Sequence, residues 1–205
     1  MYREFIRKQQ LPLLIIISGP SGVGKDTVLQ HMKELQLPFR FVVTATSRPK
    51  REGEIEGVDY FFVSPDEFLG MIERDELLEH ALVYDEYKGI PRHQVQDAFA
   101  SGQDVVMRLD VQGAETIRQL YPEALLIFLS TQTEGELIAR LKTRRTESEE
   151  KLQLRIDTGR QELHKVELFD YYVVNADGQL DATVDAIVAI IESEHRRTNP
   201  RQVCL

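Results

Sequence analysis

The chain has 205 residues, 42% hydrophobic and 29% charged, which is typical of one globular domain and excludes a disordered or disulfide-built protein. Its net charge of −9 opposes general nucleic-acid binding, and its longest apolar run, residues 11–17, is too short to span a bilayer. We therefore expect neither nucleic-acid nor membrane partners. A single cysteine, Cys204, excludes an intrachain disulfide within this sequence, so we expect a reducing, cytoplasmic location.

The first predicted elements are a strand, a helix and a second strand. Residues 13–18 are apolar except for Ser18, as in a parallel strand that is buried on both faces. A helix over 25–35 and a strand over 39–45 follow. The stretch 46–92 breaks this alternation with a short strand at 60–63 and a helix announced by Ser64-Pro65-Asp66-Glu67, which combines a capping box with proline at the first helical position. We interpret it as an insertion.

The alternation then resumes to the end of the chain. The patterns predict helices over 91–101, 112–120 and 180–195, a helix that opens at Thr133, a long polar helix over 147–166, and strands over 104–109, 124–130 and 171–174. Five core strands joined by helical crossovers indicate a three-layer α/β fold with a five-stranded parallel sheet.

A glycine-rich run lies between the first strand and the first helix. Its G-x-x-x-x-G-K pattern comprises Gly19, Pro20, Ser21, Gly22, Val23, Gly24 and Lys25. Backbone N–H groups in such a turn converge on phosphate oxygens, and the lysine reaches the outer phosphates of ATP. Asp26, before Thr27, replaces the usual hydroxyl residue, and its carboxylate can either ligate Mg²⁺ or repel phosphate. We predict an ATP site that includes Asp26 and Thr27, with Asp26 as the candidate Mg²⁺ ligand.

A second basic cluster follows, with three cations in four residues at 48–51, and then Gly57-Val58-Asp59-Tyr60. From Thr46 to Val63 the chain resembles the guanylate kinase family, and the resemblance extends over roughly residues 13–193. It implies that the GMP phosphate is held by Arg48, Arg51 and Tyr60, that Glu79 reads guanine, and that Thr44 and Asp110 complete the site. Arginine suits this role because guanidinium pairs bidentately with phosphate.

The same resemblance divides the chain into a core at 11–45 and 93–198, a GMP-binding insertion at about 46–92, a lid at about 140–156, and arms at 1–10 and 199–205. It implies lid cations at Arg140, Arg144 and Arg155, which close over the triphosphate, and an adenine contact at Asn175. A salt-bridged surface helix is the alternative for the lid, and a plain turn is the alternative for Asn175.

Two further positions depart from the family pattern, one of them near the base. Arg108 replaces the first acid of an Asp-x-Asp pair, and Ile90 stands where a hydroxyl residue is usual. Arg108 and Asp26 end neighbouring predicted elements at the ligand-binding edge of the sheet, so we predict that their side chains lie within about 8 Å, a direct or water-bridged pair.

The interpretation is an ATP-dependent kinase of GMP, with dGMP as a further substrate, Mg²⁺ as cofactor and an undecided oligomeric state. A ribose bisphosphate phosphokinase is one alternative, because such relatives also carry Gly-Lys-Asp in their loop. A catalytically inactive, guanylate-kinase-like protein-binding module is another, and the retained Lys25 and lid arginines oppose it.

Overall fold

A computed structural model describes residues 11–83, 85–142 and 149–204. Its central sheet contains β1 (Leu14–Ser18), β2 (Arg40–Phe41), β7 (Val105–Arg108), β8 (Leu125–Ser130) and β9 (Tyr171–Val174). The strand order is β2-β7-β1-β8-β9, and every pairing is parallel. The predicted five-stranded parallel sheet is confirmed. Its most buried strand is β1, as the apolar run at 13–18 indicated.

Helices cover both faces of this sheet, and one helix packs away from it. The helices are α1 (Lys25–Glu34), α2 (Pro65–Glu73), α3 (Arg92–Ala100), α4 (Val111–Leu120), α5 (Glu134–Lys142), α6 (Glu149–Leu163) and α7 (Leu180–His195). Of these, α2 packs through Phe68 against Ala45 and Leu77, outside the central sheet. Successive residues of β1 point to opposite faces of the sheet. Ile15 and Ile17 pack with residues of α1 and α7, whereas Leu14 and Ile16 pack with residues of α3 and α4. The result is the three-layer arrangement that the strand and helix pattern predicted.

A second, four-stranded sheet contains several residues that were predicted to bind GMP. It comprises β3 (Thr44–Thr46), β4 (Tyr60–Phe62), β5 (Leu77–Val83) and β6 (Glu86–Pro91), in the order β4-β3-β6-β5. One predicted strand over 39–45 is wrong, because the chain leaves the central sheet after Phe41 and enters the small sheet at Thr44. The hairpin of β5 and β6 was not predicted, since the charged residues of 79–88 obscure its alternation.

Two side chains begin helices as the local patterns indicate. Ser64 accepts a hydrogen bond from the Glu67 N–H at 3.1 Å, which confirms the predicted cap of α2. Asp110 caps α4 by accepting from the Gly113 N–H at 2.9 Å. The predicted polar helix over 147–166 is seen as α6, followed by a short 3₁₀ turn at Val166–Leu168. No helix within the described ranges has the length and apolar content that a membrane span needs.

Candidate active site

The glycine-rich loop turns sharply between β1 and α1. Gly19 has φ 138° and Gly24 has φ 93°, backbone conformations that L side chains rarely adopt. A Cβ at Gly19 would also lie 2.1 Å from the Leu129 carbonyl oxygen. Glycine is therefore required both for the turn and for its close approach to β8. The loop ends at the N-terminus of α1, where backbone N–H groups favour an anion.

Lys25 lies inside the loop that it follows. Its Nζ donates to the carbonyl oxygens of Gly19 at 2.5 Å and Pro20 at 3.1 Å. Burial lowers the pKa of Lys25 to about 8, although Glu162 and Asp26 nearby raise it. A polyanionic ligand beside Nζ would favour the charged ammonium, so this site is poised to gain a phosphate.

One cleft of about 460 Å³ joins the loop to the small sheet. The predicted site residues that line it are Gly19, Ser21, Gly22, Gly24, Lys25, Asp26, Thr27, Thr44, Arg48, Arg51, Tyr60, Glu79, Asp110 and Arg155. Pro20, Val23, Arg140 and Asn175 do not line it. Arg144 lies outside the described residues. The two predicted phosphate-binding clusters therefore share a single cavity.

At the end of the cleft formed by the small sheet, a buried arginine packs against two aromatic rings. Arg48 is 5% exposed, and its guanidinium carbon lies 4.7 Å from the centroid of Tyr60 and 5.4 Å from that of Phe62. Glu54 pairs with this guanidinium and also accepts from the Arg51 N–H at 2.8 Å. The ion pair and the rings hold the guanidinium in one orientation, while exposed Arg51 extends from the adjoining turn.

Glu79 lines the same cleft from another strand of the small sheet. Its side chain is buried on β5, and burial, with the nearby Asp110 carboxylate, raises the pKa of Glu79 to about 8. It faces the first turn of α4 so closely that a Cβ at Gly113 would lie 2.7 Å from its Oε1. Thr44 is buried beside the cleft, and its Oγ1 has no hydrogen-bond partner among the described residues. Both groups are suited to a polar ligand.

Arg108 and Asp26 form the predicted pair. Arg108 Nη1 lies 2.5 Å from Asp26 Oδ1, well within the 8 Å expected. The other guanidinium nitrogen donates to the Asp59 carbonyl oxygen at 3.3 Å, and the guanidinium carbon lies 4.3 Å from the centroid of Tyr60. Arg108 therefore connects the start of α1 to the start of β4 in the small sheet.

Two arginines that were predicted to belong to a lid, Arg140 and Arg155, contact the glycine-rich loop. Arg155 Nη2 donates to the Ser21 hydroxyl at 2.6 Å. Arg140 pairs with Glu136 and donates to the carbonyl oxygens of Val23 at 3.2 Å and Asn175 at 2.8 Å. Arg140 and Asn175 line a second cavity of about 310 Å³, together with Gly22, Gly24 and Thr27. The loop thus separates this second cavity from the main cleft.

Sequence reasoning missed four charged residues that line the cleft: Asp85, Glu86, Lys88 and Glu162. Lys88 on β6 and Glu162 on α6 both line it; burial lowers the pKa of Lys88 and raises that of Glu162. Glu162 stands seven residues after Arg155, two helical turns along one face, and this spacing could have identified it. Lys88 lies in the hairpin that the sequence did not predict, so no local signal identified it.

The fit of Mg²⁺ rests on one carboxylate. Within the described ranges, no group of three or more His, Cys, Asp or Glu side chains could hold a metal ion. Asp26 lines the cleft, and its side chain is 55% exposed. Mg²⁺ commonly binds through one carboxylate together with substrate phosphates and water, so the residues fit a metal that arrives with the nucleotide.

Comparison with known proteins gives a consistent result over nearly the whole chain. The family model for guanylate kinase matches residues 12–194. Guanylate kinase 2, chloroplastic/mitochondrial, of Oryza sativa is 50% identical over 193 residues, covering 94% of this chain and 68% of that protein. The guanylate kinase of Caldanaerobacter subterraneus is 42% identical over 194 residues, covering 95% and 92%. The crystal structure of guanylate kinase from Anaplasma phagocytophilum superposes with a TM-score of 0.76 at 27% identity, covering 92% and 89%.

Proposed function

The chain belongs to the guanylate kinase family, and we propose that its main cleft holds GMP and the phosphates of ATP end to end for direct phosphoryl transfer. The observation that carries this proposal is the shared cavity, which Lys25 lines on one side and Arg48 on the other. The net charge of −9 makes such a concentration of cations a local feature. Phosphoryl transfer needs positioning and charge stabilisation rather than a covalent intermediate, and this cleft supplies both.

On the acceptor side, Arg48, Arg51 and Tyr60 bind the GMP phosphate and Glu79 binds the guanine edge. An ionised Glu79 accepts from the ring N–H and the exocyclic amine of guanine, whereas adenine offers neither donor on that edge. A buried acceptor left without its donors costs roughly 1 to 3 kcal/mol, more when it is charged. Sites of this kind discriminate by about 10⁴-fold, so AMP is a poor substrate.

On the donor side, Lys25 and the loop N–H groups bind the outer phosphates of ATP. Arg155, which donates a hydrogen bond to Ser21, brings a further positive charge to the phosphates. Asn175 and Arg140 bind the adenosine in the second cavity. Asp26 would hold Mg²⁺, which, when bound, neutralises charge on the phosphates. Closure of the small sheet and of the lid over both ligands excludes water and so limits ATP hydrolysis. The predicted cytoplasmic location stays a prediction, since the rice relative is named for organelles.

Ribose bisphosphate phosphorylation was the alternative that Asp26 favoured. The ion pair with Arg108 offers another explanation for an aspartate at position 26, because the carboxylate neutralises that guanidinium. A coupled assay of ADP formation with GMP, dGMP, AMP and ribose bisphosphate compares the substrates directly. We expect turnover with GMP and dGMP alone, and faster turnover with ribose bisphosphate would overturn the proposal.

The sharpest single test is Lys25→Met. Loss of the buried ammonium should lower turnover by roughly 10²- to 10³-fold, the usual effect of removing one charge-stabilising donor. GMP affinity, measured by calorimetry without ATP, should stay nearly unchanged. Lys165→Met is the matched control, because Lys165 pairs with Glu115 and does not line the cleft. Unchanged turnover in Lys25→Met would refute the assignment of the loop, and phosphopeptide binding without any turnover would indicate an inactive module.

A further inference from the structure

Arg108 occupies an unusual position between the two substrate sites. It ends β7, where the family pattern has an acid, and its side chain is 14% exposed. Three contacts fix its guanidinium: the Asp26 carboxylate at 2.5 Å, the Asp59 carbonyl oxygen at 3.3 Å, and the Tyr60 ring at 4.3 Å from the centroid. The last two contacts do not involve Asp26, so they hold the guanidinium in place independently of the ion pair.

The Tyr60 ring is shared by two arginines. The guanidinium carbons of Arg48 and Arg108 lie 4.7 Å and 4.3 Å from its centroid, so the two groups are at most about 9 Å apart. Both line the main cleft. One phosphate group with a hydrogen bond of about 2.9 Å on each side can bridge two guanidinium groups that lie closer than this upper limit. The shared ring therefore holds both cations beside the part of the cleft where an acceptor phosphate would lie.

We propose that Arg108 is a third arginine ligand of the acceptor phosphate, with Asp26 as the counterion that orients it before substrate binds. The inference rests on the proposed function, because it assumes that GMP occupies the Arg48 side of the cleft. Asp26 is the exposed partner of the pair, at 55% against 14% for Arg108. The carboxylate can therefore return to water at low cost, while the ring and the Asp59 carbonyl keep the guanidinium in place for the incoming phosphate.

The competing explanation is that Arg108 only neutralises Asp26. The two explanations differ when Asp26 is absent. A phosphate ligand still matters in the Asp26→Ser background, whereas a counterion has nothing left to neutralise. A double-mutant cycle of Asp26→Ser and Arg108→Met separates them.

The experiment is calorimetric titration of GMP in the absence of ATP and Mg²⁺. Arg108→Met should weaken GMP binding by roughly 10- to 100-fold, the effect of losing a charge-assisted hydrogen bond, in both the wild-type and the Asp26→Ser backgrounds. Guanosine, which lacks the phosphate, should bind equally to all variants. In the Asp26→Ser background, where no carboxylate is left unpaired beside the loop, Arg108→Met should leave ATP affinity unchanged. Arg108→Lys keeps the charge without the fork and should be intermediate. Arg74→Met, at an exposed pair with Glu76, is the matched control.

Three results would overturn the proposal. The first is a defect of Arg108→Met that vanishes in the Asp26→Ser background. The second is a loss of guanosine affinity in Arg108→Met that equals its loss of GMP affinity. Such a result, and the same loss in Arg108→Lys, would indicate a distorted site rather than a lost phosphate contact. The third is a fall in kcat with unchanged GMP affinity, which assigns Arg108 to the transferring group. Failure of the wild type to bind GMP at all would instead refute the proposed function, and this inference with it.

Discussion

GMP binding should release a proton from Glu79. In the ligand-free protein, burial and Asp110 raise the pKa of Glu79 to about 8, from 4.5 in the unfolded chain. Since one pKa unit corresponds to about 1.4 kcal/mol, the carboxylate is disfavoured by about 5 kcal/mol in its site. The acid is therefore about 90% protonated at pH 7. Guanine donates two hydrogen bonds to the ionised form, so binding expels the proton.

Because the proton must leave Glu79 when GMP binds, GMP affinity should rise with pH up to about 8, by as much as tenfold per pH unit, and then level off. Stability of the ligand-free fold should change in the opposite direction. A carboxyl group with a raised folded-state pKa is ionised first in the unfolded chain, so the free energy of unfolding falls as pH rises from about 4.5 to about 8.

The assay is calorimetry of GMP alone at pH 7, in buffers of different ionisation enthalpy. The dependence of the observed heat on the buffer gives the protons released, and we expect about 0.9 from Glu79. Glu79→Gln is the control, because protons exchanged by the GMP phosphate itself remain in that variant. In urea titrations, Glu79→Gln should gain stability over the wild type as pH rises from 5 to 8. Equal proton release by both proteins, or a stability difference independent of pH, would refute the reasoning.

Further predictions concern the support of the sites and of the fold. Gly113→Ala should raise the KM for GMP by about 10- to 100-fold with the ATP KM unchanged, because its methyl group displaces Glu79; steady-state kinetics checks this. Asn175→Ala should raise the KM for ATP roughly tenfold and leave that for GMP unchanged, since its side chain holds a loop carbonyl at 2.8 Å. Arg201→Met should lower the free energy of unfolding by about 2 kcal/mol at pH 7, because buried Glu194 loses its buried cationic partner and keeps only Tyr171 and the more exposed Arg197. Burial opposes ionisation of Glu194, but hydrogen bonds from Arg201 and its neighbours lower its pKa to about 2, so urea titrations should show this loss shrinking as pH falls below about 4.5.

Local chemistry decided the elements that the sequence predicted well. The run at 13–18 is apolar at every position except Ser18, so it had to be a buried strand, and Gly19 and Gly24 meet a backbone requirement that can be read without knowledge of the rest of the chain. The cap at Ser64 likewise depends on a hydrogen bond within four residues. The pairing of Asp26 with Arg108 was also accessible. Arg108 ends one strand and Asp26 follows the loop after its neighbour, and the carboxyl ends of neighbouring parallel strands meet at one edge of the sheet.

Contacts between distant segments decided the rest. Whether residues 39–45 form one strand or two depends on which sheet offers free backbone partners, β7 for Arg40–Phe41 and β4 with β6 for Thr44–Thr46. The sequence shows Glu79 as an ordinary acid, and only the packing of β5 against α4 removes its water and raises its pKa. Residue type and short-range pattern thus determined the phosphate loop and the fold class by themselves. The tertiary structure alone decided that Arg140 faces the second cavity, and that Glu162 and Lys88 join the first, because solvation and proximity arise from all the neighbours of a side chain.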